Sequence, residues 1–137
     1  MNRSHALRNL LNLSVFLTLV GTLSYLPARA ADSSSSTITI KLGDYRFSPD
    51  HIELVAGQPV RLVLINTDGV TPHNFTLKNK AGDLDLEVNV AAGKTREIEF
   101  VPQTPGTYDF FCNKKLPFMK SHRDRGMQGS LGVIAVE

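Results

Sequence analysis

The feature that most constrains this chain is a succession of short segments in which apolar and polar residues alternate, each closed by turn-forming residues. Thr37-Ile38-Thr39-Ile40-Lys41-Leu42 alternates with period two, which sets Ile38, Ile40 and Leu42 on one face of a strand. Ile52 to Val55 forms a second segment, ended by Gly57. Next, Val60, Leu62 and Leu64 face one way and Val63 and Ile65 the other, as in a strand covered on both sides. Asn66-Thr67-Asp68-Gly69 breaks that strand with turn chemistry. Asn74 to Leu77, Leu84 to Val90 and Glu97 to Val101 follow, separated by Ala81-Gly82-Asp83 and Ala91-Ala92-Gly93-Lys94. Pro105-Gly106 turns the chain into Thr107 to Cys112, and Leu131 to Val136 is the last strand. From Thr37 onward no stretch keeps a helical period with caps. About eight strands in roughly a hundred residues predict an all-β Greek-key sandwich or barrel over residues 37–137.

The N-terminal part is different in kind. Arg3 and Arg8 precede an apolar run from Leu10 to Leu26, and Ala28-Arg29-Ala30 places small residues where a signal peptidase reads. Residues 1–30 are therefore expected to be a secretory signal peptide cleaved before Ala31, with 31–36 a flexible lead-in and the product periplasmic. The competing reading is an uncleaved anchor. A spanning helix wants about 20 apolar residues, and this run is shorter and broken by Asn12, Ser14, Thr18, Gly21, Thr22 and Ser24. Removing Arg3, Arg8 and Arg29 changes the charge count from 15 basic against 13 acidic to 12 against 13. Nucleic-acid binding then has no compositional support.

Cys112 is the sole cysteine, so an intramolecular disulfide is impossible. A lone thiol in an oxidising compartment is either buried and inert or engaged as a metal ligand. Its neighbourhood favours the second. The stretch 113–130 fits neither strand nor helix period, and loops of such length are functional or disordered. It carries His122, Met119 and Met127 soon after the cysteine, and His73 stands upstream. Thiolate, two imidazoles and a weak thioether form the donor set that suits copper in both its monovalent and divalent states. Gly126 and Gly129 flank Met127 and read as devices that turn the backbone around it. His51, after Pro49-Asp50, reads as a solvated loop residue, and Phe75, Phe100, Phe110 and Phe111 as core.

With these residues in view, the chain from the lead-in onward resembles the cupredoxins, the blue-copper family of plastocyanin and azurin type. The matching pieces are Val55-Ala56-Gly57-Gln58-Pro59-Val60, Asn66-Thr67-Asp68, Pro72-His73-Asn74-Phe75, Pro105-Gly106-Thr107-Tyr108-Asp109-Phe110-Phe111-Cys112 and Gly126-Met127-Gln128-Gly129-Ser130-Leu131. The resemblance implies one copper ion held by His73, Cys112 and His122, with Met127 axial and Met119 the less favoured substitute. It also implies that Asn74 hydrogen-bonds across to the cysteine-bearing loop. One departure stands out. Nine residues, Asn113 to Ser121, separate Cys112 from His122, where the family has a short spacer.

The function expected on these grounds is that of a mobile one-electron carrier, monomeric and free of a membrane span once the leader is removed. A copper storage or delivery protein and a copper-free binding sandwich are the alternatives. Enzymatic chemistry lacks support, since no nucleophile–base arrangement and no second metal cluster can be read. Lys114, Lys115, Lys120, Arg123 and Arg125 crowd the long loop, opposed there by Asp124. They serve either to solvate it or to form a basic rim that steers an acidic redox partner such as a cytochrome or oxidase.

Overall fold

β1 (Ser36–Gly43) runs beside β4 (Val60–Asn66) in parallel, with Ile40 opposite Leu64, and this pair is the spine of one sheet. The structure, a computed structural model, describes residues 35–79 and 84–136. The expected signal peptide, 1–30, lies outside the described residues, as do 31–34 of the lead-in; Ser36 already belongs to β1. The first sheet is completed by β2 (Arg46–Ser48) on the far side of β1 and by β7 (Thr95–Phe100) on the far side of β4. The second sheet has the order β3 (His51–Val55), β9 (Gln128–Ile134), β8 (Gly106–Phe111), β5 (His73–Lys78) and β6 (Asp85–Val90). The chain changes sheet after β2, β3, β4, β6 and β7, which makes the fold the expected Greek-key sandwich. Among the described residues no helix is long and apolar enough to cross a membrane.

Period-two burial explains why these segments are strands. Ile40 and Leu42 of β1, Val60, Leu62 and Leu64 of β4, and Leu131 and Val133 of β9 all point between the sheets. Each such side chain, fully buried, contributes about 1.5–3 kcal/mol relative to exposure. Phe110 stacks on Phe75 at 4.9 Å and meets Phe47 edge-on at 5.1 Å, forming the aromatic centre of that layer. Phe75 and Phe110 are core as expected, whereas Phe100 and Phe111 are half-buried.

Several local expectations are corrected. There are nine strands among the described residues rather than about eight, because β2 was not anticipated. It pairs with β1 through a two-residue turn, Asp44-Tyr45, in which both residues have positive φ. That backbone is usually signalled by Asn-Gly or Asp-Gly, and tyrosine there masks the hairpin. The last strand begins at Gln128, not Leu131, so the irregular link is shorter than 113–130. His51 opens β3 instead of lying in a loop, although it is exposed as expected and hydrogen-bonds Ser130 Oγ at 2.8 Å. β4 is covered fully on one face, while Val63 and Ile65 on the other are half-buried. Gly129 lies inside β9 and does not turn the loop. It is glycine because a Cβ would stand 2.3 Å from the Asp50 carbonyl oxygen and 2.4 Å from the Phe110 ring. Gly126 does turn the backbone, at φ +98°.

Candidate metal centre

One end of the sandwich gathers three separate pieces of chain. His73 is the first residue of β5, held in register opposite Val90. Cys112 follows the last residue of β8, and its N–H donates to the Met127 carbonyl at 3.0 Å. His122 comes back through the long link, where its N–H donates to the Lys114 carbonyl at 2.8 Å and its own carbonyl accepts from Met127 N–H at 3.0 Å. A short 3₁₀ turn, Arg123–Arg125, follows and ends at the left-handed Gly126. The long spacer between Cys112 and His122 is thus bridged by the bond from His122 N–H to the Lys114 carbonyl, which closes the link locally.

The donor atoms converge. His73 Nδ1 and His122 Nδ1 are 3.1 Å apart, and Cys112 Sγ lies 3.4 Å from His122 Nδ1 and 4.0 Å from His73 Nδ1. All three residues are buried, and their candidate ligand atoms lie within 4.8 Å of one another. Donors bound to one transition ion at about 2.0–2.3 Å are separated by edges of this length. The proton inventory points the same way. His73 Nε2 is 2.8 Å from Asp68 Oδ2, and a carboxylate only accepts, so Nε2 carries the proton and Nδ1 offers a lone pair to the cluster. His122 Nδ1 faces that lone pair at 3.1 Å, a spacing that either a shared proton or a cation between the rings would bridge. The residues present therefore fit a thiolate–imidazole metal site.

The surroundings stiffen it. Asn113 N–H donates to Asn74 Oδ1 at 2.9 Å, and Asn74 Nδ2 donates back to Asn113 Oδ1 at 2.7 Å. Asn74 thus makes the cross-link to the cysteine loop that the resemblance implied. Asn74 N–H also points at Cys112 Sγ, 3.4 Å away. Met127 is fully buried beside these residues, while Met119 is 43% exposed on the outer loop. Tyr45 lies edge-on to His122 with centroids 4.8 Å apart, and the Arg125 guanidinium covers the Tyr45 ring at 4.4 Å. Asp68, Tyr45 and Asn113 were not singled out in the sequence. A carboxylate five residues before His73 was the signal available, and it read as turn chemistry and as part of the matching piece Asn66-Thr67-Asp68.

Burial pushes the Cys112 thiol up, against the opposing effect of the Asn74 and Lys114 backbone N–H groups. Burial, reinforced by His73 and Arg125, pushes His122 down, so its imidazole is in the neutral, ligating form at neutral pH. Metal uptake must then expel the thiol proton but none from His122. Below the Cys112 pKa the apparent Kd for copper should fall by about tenfold for each unit rise in pH. Competition titrations between pH 6.5 and 8.5 test this, and a Kd indifferent to pH would contradict it.

A β-sandwich with one cysteine, two histidines and a buried methionine gathered at one end is the arrangement of the blue-copper class. The chain belongs to the cupredoxin-like family, whose domain model matches residues 14–127. It is 30% identical over 131 residues to the plastocyanin of Prochlorothrix hollandica, with 88% of each chain covered. To the plastocyanin of Dryopteris crassirhizoma it is 30% identical over 104 residues, covering 68% of this chain and 92% of that one. Reduced auracyanin from Roseiflexus castenholzii superposes with a TM-score of 0.60 at 21% identity, over 73% of this chain and 98% of the other. Auracyanin A, a "blue" copper protein of Chloroflexus aurantiacus, superposes with a TM-score of 0.54 at 25% identity, over 72% and 100% of the two chains.

Proposed function

We propose that this protein is an exported one-electron carrier with a single copper ion held by His73, Cys112 and His122, and by Met127 as a weak axial ligand. The observation that carries the reading is the burial and mutual closeness of the three donors, fixed from two strands and a bonded loop. Bound there, copper would supply the one-electron step between its monovalent and divalent states. The protein's part is to hold the donors still, so that little rearranges when charge changes, and to exclude water. His122, at 6% exposure, is nearest the surface of the ligand set and borders a pocket of about 370 Å³ lined also by Tyr45, Val70, Pro72, Lys114 and Leu116. Electrons would pass there, and Lys115 and Lys120 standing exposed nearby suit an acidic redox partner. Arg123 and Arg125 belong to the same rim but lie over the rings of Phe111 and Tyr45.

Anaerobic titration should load one copper per chain, generate an intense visible band and give reversible one-electron cycling. Copper that leaves readily to a chelator would favour storage or delivery, and no uptake at all would favour a copper-free sandwich. Met127→Leu should raise the reduction potential, because removing a weak donor favours the monovalent ion. Met119→Leu should leave it unchanged. If the two results are reversed, the axial assignment falls. Export is tested separately by intact mass: periplasmic protein should begin at Ala31, and retention of residues 1–30 in a membrane fraction would point to an anchored form.

A further inference from the structure

Asp68 lies in the link between β4 and β5, and its backbone is fixed on both sides. Its N–H donates to Asn66 Oδ1 at 3.0 Å, and its carbonyl accepts from Gly93 N–H at 2.9 Å. The carboxylate then spans two structures. Oδ2 meets His73 Nε2 at 2.8 Å, and Oδ1 accepts from the Asp44 N–H at 3.1 Å. The side chain is 19% exposed and the His73 side chain 0%.

We propose that Asp68 is a positioning residue for the copper centre: it sets which nitrogen of His73 faces the metal and ties the Asp44-Tyr45 turn over the site. The proposal rests on the copper reading above. A neutral imidazole carries one proton, and a carboxylate at Nε2 keeps it there. Nδ1 is then the lone-pair atom, directed at His122 and Cys112. Without that acceptor the ring would also populate the Nδ1–H form, which cannot ligate through Nδ1. A negative charge on the far side of the ring strengthens Nδ1 as a donor and so favours divalent over monovalent copper. The second oxygen acts on the turn. Asp44 and Tyr45 both have positive φ, at 49° and 57°. Such a backbone is disfavoured for a residue like tyrosine and persists where its surroundings fix it. The bond to Asp68 and the Tyr45 contact with His122 are such surroundings.

The test uses Asp68→Ala and Asp68→Asn beside the wild type, with folding checked by thermal melts. Nitrogen-15 NMR of the metal-free protein at pH 8 should find the His73 proton on Nε2 in the wild type. Asp68→Ala should mix the two tautomers and weaken divalent-copper binding about 10- to 100-fold. Asp68→Asn keeps an acceptor oxygen but no charge, so it should preserve the tautomer and raise the reduction potential. A wild-type proton on Nδ1, or an Asp68→Ala protein with wild-type tautomer and copper Kd, overturns the role of Asp68. If Asp68→Ala does not fold, an Asp68→Asn protein with unchanged potential does the same. Should the wild type take up no copper, the copper reading falls and the proposal falls with it. Copper uptake with indifferent variants removes Asp68 alone.

Discussion

Cys112→Ser should abolish the intense visible absorption of the copper-loaded protein while leaving the sandwich folded. The band arises from the thiolate, the electronically dominant donor, and a hydroxyl at the same place cannot replace it. Folding should survive because the serine Oγ can accept from the same Asn74 and Lys114 N–H groups that now face the sulfur. Among the described residues, apolar burial by eighteen, of which Cys112 is one, supports the sandwich. The metal-free variant should therefore melt close to the metal-free wild type. Copper should raise the melting temperature of the wild type far more than that of the variant, because only tight binding to the native state stabilises it by mass action. Optical titration and paired melts measure both effects. A serine variant that keeps the strong band would remove Cys112 from the site.

The second large effect concerns stability. Phe110→Ala should cost about 3–5 kcal/mol, the usual loss for a phenylalanine cut out of a packed core. Here the ring touches Phe75, Phe47 and the space that Gly129 leaves open, so neighbours from three strands face the cavity. β5 and β9 are paired on both sides within their sheet, which limits how far the cavity can collapse. Native domains are stable by about 5–15 kcal/mol, so this is a large share of the total. Denaturant unfolding of the metal-free protein should show the drop in midpoint at unchanged slope. A loss below about 1 kcal/mol would mean that the aromatic centre repacks, contrary to the close contacts around Gly129.

The strands β1, β3, β4 and β7 were legible because each has one face turned to the core, and one-sided burial writes itself into the sequence as alternation. β5 was harder. His73, Asn74, Phe75, Thr76 and Leu77 are all buried, so polar residues occupy interior positions and the period vanishes. They are tolerated because Asn74 bonds Thr76, Asn113 and the cysteine loop instead of water. β2 escaped notice for a different reason. Three residues carry too little pattern, and the second position of its turn, where glycine is the usual signal for positive φ, is occupied by Tyr45.

By itself the sequence determined the fold class, since period and turn chemistry are local properties. It also determined the candidate donors, because one cysteine and one nearby histidine left few choices. The tertiary structure decided how those donors meet. Residues 73, 112 and 122 belong to pieces of chain joined through sheet pairing, so their separations depend on register and crossings that no local pattern encodes. Tertiary packing also separated the two loop methionines, sending Met127 inside and leaving Met119 exposed, because the backbone of Met127 is bonded to Cys112 and His122. The role of Asp68 was set in the same way. Its carboxylate reaches His73 and the β1–β2 turn because the β4–β5 link folds back between them, and loop conformation follows from what it packs against.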